Sequence, residues 1–217
     1  MSTRYDLIIF DWDGTLMDSL PRIVTSMQLA AQDCGLPVLA AGGIHEIVGL
    51  ELGRAISALY PQLDVHGVER FRERYAHHYV NEDAQPSVFF EGILPMLDAL
   101  SARPTLLSIA TGKSRRGLDR VLQAADSARY FHSSRCADET ESKPSPRMVL
   151  DLLELHGVPP YRAVVVGDTE FDMAMARSAG VDRLGVGWGA HALHRLEGYS
   201  PLACFSEVDE LADWLLS

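Results

Sequence analysis

Leu7-Ile8-Ile9-Phe10-Asp11-Trp12-Asp13-Gly14-Thr15-Leu16 joins a short, uninterrupted apolar run to two aspartates two positions apart. Four consecutive apolar residues bounded by acids form the pattern of a strand buried on both faces, as in a parallel sheet. Period-two alternation then turns Trp12 to the opposite side of the strand from Asp11 and Asp13, into the core. Similar runs recur at residues 105–110 and 163–166 and, more weakly, at 184–186, each ending in polar or glycine-rich sequence. Helical patterns lie between them at 94–100, 114–124, 146–156 and 170–179. A last one carries Val208, Leu211, Ala212 and Leu215 at i, i+3, i+4 and i+7. This alternation predicts an α/β fold with an open, doubly wound parallel sheet, whose ligands bind beyond the carboxyl ends of the strands.

One stretch interrupts the alternation. Asp13 and Thr111 end successive clear core strands yet stand 98 positions apart, whereas a βαβ unit needs only ~30 residues. The surplus of roughly 65 residues reads as helices, with patterns at 23–34 and 68–79. The expectation is an inserted α-helical cap, residues 17–85, over a core made of residues 1–16 and 86–217. Gln85-Pro86-Ser87 is the expected return hinge.

A chain of 217 residues accommodates one sizeable core plus such an insertion. Its formal charge of −11 repels phosphate backbones and anionic bilayers, which argues against a nucleic-acid partner. No apolar run approaches the ~18 residues of a membrane span. Cys34, Cys136 and Cys204 form neither a CxxC pair nor a disulfide framework, which fits a reducing compartment. With Met1 read as the mature start, a cytoplasmic protein is expected, either monomer or homodimer. His45, His66, His77 and His78 all fall in the insertion, without the paired spacing of a zinc site.

Four short sequences stand at or beside the carboxyl ends of the predicted strands: Asp11-Trp12-Asp13-Gly14-Thr15-Leu16, Thr111-Gly112-Lys113, Lys143-Pro144, and Gly167-Asp168-Thr169-Glu170-Phe171-Asp172. Hard Mg²⁺ takes a few oxygen ligands together with water and phosphate, so Asp11 and Asp168 from adjacent strands suit a partial shell. Two acids two apart can divide the work, Asp11 attacking phosphorus and Asp13 exchanging a proton with the leaving group. The Thr111 hydroxyl, the amides after Gly112 and the Lys143 ammonium suit the charge on a phosphoryl group in transfer. A calcium loop is disfavoured because Thr15 stands where a third acid or amide is needed. A Walker A loop lacks its upstream glycine, replaced by Ser108.

In these four motifs, in this order, the chain resembles the haloacid dehalogenase superfamily, in the branch whose helical cap follows the first motif, over essentially its whole length. The resemblance implies that Asp11 is a nucleophile forming an aspartyl phosphate and Asp13 the general acid and base. Thr111 and Lys143 would be phosphate binders. It also implies that Asp168 binds Mg²⁺ with Asp11 and the Asp13 backbone carbonyl, while Asp172 acts from behind, toward Lys143 or a metal-bound water. Within that family the residues choose the reaction. Asp13 disfavours dehalogenation, because haloacid dehalogenases do not keep an aspartate there. The absence of lysine from residues 1–112 excludes a Schiff base from the cap. Ile23 stands where β-phosphoglucomutase has a cap histidine, which disfavours a mutase.

The reading that follows is a phosphatase similar to the phosphoglycolate phosphatases, acting on a small phosphorylated metabolite. Pyrophosphate and sugar phosphates are alternative substrates, and a non-catalytic binding protein is the reading from another class. Residues 48–54 look like the cap specificity loop of the family. Arg54 or Arg22 is expected to meet a substrate carboxylate, whereas Glu51 would repel an anion if it faced inward. Lys113 fits equally a solvated helix start or a contact to the leaving group.

Overall fold

A computed structural model describes residues 4–81 and 87–217. The elements run β1 (Leu7–Phe10), β2 (Met17–Asp18), α1 (Leu20–Asp33), α2 (Ala41–His45), α3 (Leu52–Leu59), α4 (Val65–Asn81), β3 (Val88–Phe89), α5 (Ile93–Ser101) and β4 (Leu106–Thr111). There follow α6 (Arg115–Ala124), β5 (Ser133–Cys136), α7 (Arg147–His156), β6 (Ala163–Gly167), α8 (Glu170–Ala179), β7 (Asp182–Val186), α9 (Leu193–Glu197), β8 (Ala203–Phe205) and α10 (Val208–Leu216). Among the described residues six strands form one parallel sheet in the order β5-β4-β1-β6-β7-β8.

The central strands are apolar because both their faces are covered. Ile8 and Phe10 on one face of β1 pack with Leu107, Ile109, Val164 and Val166 beneath α5 and α10. Leu7 and Ile9 on the other pack with Val165, Met148, Leu152 and Met175 beneath α7 and α8. Trp12 is fully buried on the first face, edge-on to Phe89 and Phe131, as alternation predicts. The register sets Phe10 between Ile109 and Val166, and Asp11 N–H extends the ladder to the Val166 carbonyl at 2.9 Å. Strands β1, β4 and β6 therefore end at one edge, which gathers Asp11, Thr111 and Asp168.

Two strands of this sheet have no counterpart in the sequence reading. β5 and β8 lie at the two edges of the sheet and are only partly buried. Ser133-Ser134-Arg135-Cys136 has no apolar run, because an edge strand satisfies one side of its ladder and meets water on the other.

The helices α1, α3 and α4 share a separate apolar cluster built on Ile23, Met27, Ala30, Ile56, Tyr60 and Phe71. Fully burying a side chain such as Phe71 or Ile56 contributes ~1.5–3 kcal/mol, enough in sum to hold three short helices together. The chain enters this unit through β2 and leaves through β3, which pair antiparallel, Met17 with Phe89 and Asp18 with Val88. Gln85 and Pro86 of the expected hinge lie outside the described residues. Among the described residues no helix is long and apolar enough to cross a membrane.

Candidate active site

Asp11, 2% exposed, follows the last residue of β1, and its Oδ1 lies 2.6 Å from Lys143 Nζ. The same ammonium is 2.6 Å from Oδ1 of Asp172, and both Lys143 and Asp172 are fully buried. Asp172 is fixed by the start of α8. Thr169 and Asp172 form a capping box in which Asp172 Oδ2 accepts from Thr169 N–H at 3.0 Å and from its hydroxyl at 2.6 Å. The cap that begins the helix thus also aims a carboxylate oxygen at Lys143. Asp168 accepts from the Thr15 hydroxyl and from Ala190 N–H, each at 2.7 Å. Thr15 reaches it over Gly14, whose φ of +79° and contact with the Asp168 side chain leave no room for a Cβ.

Carboxylate oxygens of Asp11, Asp168 and Asp172 all lie within 4.8 Å of one another. Burial raises the pKa of Asp11 well above the carboxylate range; Lys143 opposes this, while Asp172 and Asp168 add to it. Asp168 is pushed up to about 7, by burial first and by Asp172 second. Burial works against the charge on Lys143, but Asp11 and Asp172 outweigh it and hold the ammonium above its ordinary range. Three buried carboxylates against one ammonium leave a surplus of negative charge. Asp11 Oδ2 is moreover buried without a hydrogen-bond partner. An all-oxygen, anionic cluster with an unsatisfied donor atom fits a hard divalent cation, and Asp11, Asp168 and Asp172 are the side chains that could hold one.

The Asp13 carboxylate is not in this cluster. It accepts from the Ser19 hydroxyl at 2.5 Å and lies 3.0 Å from Lys113 Nζ. Lys113 is therefore no solvated helix-start residue. Its ammonium also meets the Tyr79 hydroxyl of α4 at 3.3 Å and stands over the Tyr79 ring. Thr111 is buried, its hydroxyl accepting from Lys113 N–H at 3.2 Å. At Gly112 the core meets the backbone of residues 49 and 50, and a Cβ there would lie 2.6 Å from the Gly49 carbonyl oxygen and 2.7 Å from that of Leu50.

A cavity of about 170 Å³ lies between the sheet edge and the helices of the insertion. Asp11, Asp13, Gly112 and Lys113 border it on the sheet side; Ile23, Met27, Val48 and Leu52 make much of its wall, and Glu51, Arg72, Tyr75, Tyr79 and Arg120 are its polar lining. Arg22 is not brought to it. Its guanidinium donates twice to the Tyr79 carbonyl, at 3.1 and 2.6 Å, and borders a second cavity. Arg54 is exposed and absent from the lining. The two expected carboxylate contacts are thus corrected. A helical arginine points wherever its own turn of helix faces, and spacing along the chain does not reveal that direction.

Glu51 does line the cavity, but its carboxylate is neutralised. It caps α3 by accepting from Gly53 and Arg54 N–H at 2.8 and 2.9 Å, and pairs with Arg72 at 3.2 Å. Arg72, Tyr75 and Tyr79 follow helical spacing on one face of α4, a signal present in the sequence but mute until the facing surface is known. Arg120 follows Ser114 and Gly117 at the same kind of spacing along α6. Across the sheet edge from the cavity, Arg195 of α9 joins Glu46, at 2.8 Å, to Glu170, a further link between the insertion and the core. His78 pairs with Asp33 at 2.8 Å.

Known proteins share both sequence and shape with this chain. A probable phosphatase, IndB, of Dickeya dadantii is 32% identical over 97% of this chain and 94% of its own length. A phosphoglycolate phosphatase of Agrobacterium fabrum is 31% identical over 84% and 81% respectively. A hydrolase from Pseudomonas syringae of known crystal structure superimposes with a TM-score of 0.87 at 25% identity, over 99% of this chain and 98% of that one. The family model for haloacid dehalogenase-like hydrolases matches residues 8–186, a span that takes in every carboxylate and both lysines of the site. On that match the chain belongs to the haloacid dehalogenase-like hydrolase family.

Proposed function

We propose that this chain is a Mg²⁺-dependent phosphatase hydrolysing a small organic phosphate, with residues 17–85 closing as a cap over a core of residues 1–16 and 86–217. The observation that carries the reading is the meeting of two ion-paired groups at one sheet edge: Asp11, Lys143 and Asp172 with Asp168 beside them, and Asp13 with Lys113. Relatives named phosphatase and phosphoglycolate phosphatase support the same chemistry, and 2-phosphoglycolate is the leading substrate.

In this reading Asp11 attacks phosphorus, and its new oxygen–phosphorus bond forms as the bond to the ester oxygen breaks. Asp13 gives a proton to the departing alcohol. It then takes one from the water that splits the aspartyl phosphate, which restores Asp11 and releases inorganic phosphate. Thr111, the amides after Gly112 and Lys143 hold the phosphoryl oxygens. Asp11 and Asp168, with the Asp13 backbone carbonyl and with Asp172 behind, would hold Mg²⁺, which would supply positive charge to the phosphoryl group. The apolar wall of the cavity excludes bulk water while the cap is closed, and opening releases product.

The test is phosphate release by purified protein with Mg²⁺, with and without EDTA, from phosphoglycolate, pyrophosphate, sugar phosphates and nucleoside monophosphates. Metal-dependent release favouring phosphoglycolate is expected. A sugar-favouring profile removes the named substrate and keeps the chemistry, whereas no metal-dependent release from any compound removes the reading.

A further inference from the structure

Most charges around the cavity are paired. Asp13 meets Lys113, Glu51 meets Arg72 and Asp11 meets Lys143, while Asp138 accepts from the backbone N–H of Arg115 at 2.8 Å. Arg120 lines this cavity and also the second one that Arg22 borders; its side chain is half-buried, its Nε is buried without a hydrogen-bond partner, and no ion pair among the described residues includes it. A buried N–H left unmatched beside apolar walls is costly unless a ligand completes it.

Its position says what that ligand carries. Ser114, Gly117 and Arg120 line the cavity from one face of α6, with Ser114 one residue from Lys113 and so near Asp13. Arg120 lies six residues further, about 9 Å along the helix axis at 1.5 Å per residue, and helical side chains lean back toward the N-terminus. The phosphoryl group is accounted for by Asp11, Thr111 and Lys143, so Arg120 faces the organic part of the substrate.

We propose that Arg120 receives an anionic group on the organic part of the substrate, most simply a carboxylate gripped by the planar fork, and so restricts this chain to phosphate esters of hydroxy acids. The inference rests on the phosphatase reading above and adds the residue that selects the substrate.

The test uses the phosphate esters of hydroxyacetate, 3-hydroxypropanoate and 4-hydroxybutanoate, each beside its neutral amide, with wild type, R120Q and R120K. Wild type is expected to favour the acid over the amide at least about tenfold in kcat/KM for one or more chain lengths, and R120Q to lose that preference, chiefly through KM. R120K keeps the charge without the fork, and its preference is expected to fall at least about threefold; this variant decides the matter if R120Q does not fold. Equal rates on acid and amide at every length in wild type overturn the assignment, as does a preference that survives intact in R120Q or R120K. Failure of wild type to release phosphate from all six esters, while it hydrolyses another phosphate with Mg²⁺, overturns this inference alone; no metal-dependent release from any compound overturns the phosphatase reading, and this inference with it.

Discussion

The Lys113 ammonium lies 3.0 Å from Oδ1 of Asp13, with both side chains about one-tenth exposed. Burial opposes the charge on Lys113, but Asp13 outweighs it and holds the ammonium above its ordinary range. Tyr79 touches the same ammonium from α4, so the insertion reaches the proposed acid and base through one lysine. Lys113→Met is expected to lower kcat/KM by about 10–100-fold, less than the ~10²–10⁴-fold of a group that itself transfers the proton, since Lys113 acts through Asp13. Steady-state kinetics on the preferred ester check this, and a rate within twofold of wild type contradicts it.

Asp11→Asn removes the proposed nucleophile, and a loss of at least ~10³-fold in kcat is expected. Residual activity above a tenth of wild type would sink that role. Lys143→Met leaves Asp11 and Asp172 buried without their cation, and breaking a buried pair this way costs about 3–5 kcal/mol. Urea unfolding of the variant is expected to show that loss, and adding Asp11→Asn to it is expected to restore part.

The anionic cluster makes a metal a stabiliser of the folded state. Adding Mg²⁺ at about 100 times its Kd is expected to raise stability by about 2.7 kcal/mol, read as a rise in Tm that EDTA reverses. Asp168→Asn withdraws one of the three carboxylates and is expected to abolish both the rise and the activity. A Tm that does not respond to Mg²⁺ in wild type speaks against the cation.

Gly112→Ala tests how closely the two layers approach. The added Cβ would stand 2.6 and 2.7 Å from two backbone oxygens of residues 49 and 50, atoms that cannot swing aside as a side-chain end could. A fall of at least about tenfold in kcat/KM is expected, since small displacements at a closing site are expensive. Faster hydrogen exchange at residues 46–52 should accompany it.

His156 supplies a pH test away from the site. Its Nε2 lies 2.7 Å from the Ser133 hydroxyl. Burial, then His132 and Arg135, lower its pKa below the ordinary 6.5. The folded state therefore binds fewer protons than the unfolded one around that pH. The contribution of His156 to stability is complete above 6.5 and is lost as pH falls through the folded pKa. Urea midpoints between pH 7.5 and 5 are expected to fall more steeply for wild type than for His156→Asn.

The legible parts of this protein are those whose cause is local. Residues 7–10 and 163–166 are apolar on both faces because they become β1 and the body of β6, the central strands, and the polar residues after them had to emerge at one edge. β5 was illegible because an edge strand needs no apolar run, and β8 because it is only three residues long. The same division holds in the site. Asp11, Asp168 and Asp172 converge as their motifs imply, whereas Lys113 was ambiguous until Asp13 and Tyr79 were seen around it. Arg22 and Arg54 do not border the cavity between the two layers, whereas Arg72 and Arg120 do.

The four inner strands, the helical patterns after the first of them and the acidic motifs with Lys143 were legible in the amino-acid sequence by itself, because a strand end places its next residue whatever packs above it. Only the tertiary structure decided which arginines border the cavity, that Glu51 is neutralised by Arg72 and the α3 cap, and that Arg120 is left without a partner. Those depend on how two separately packed layers face each other, and a helix presents any of its sides until a second surface selects one.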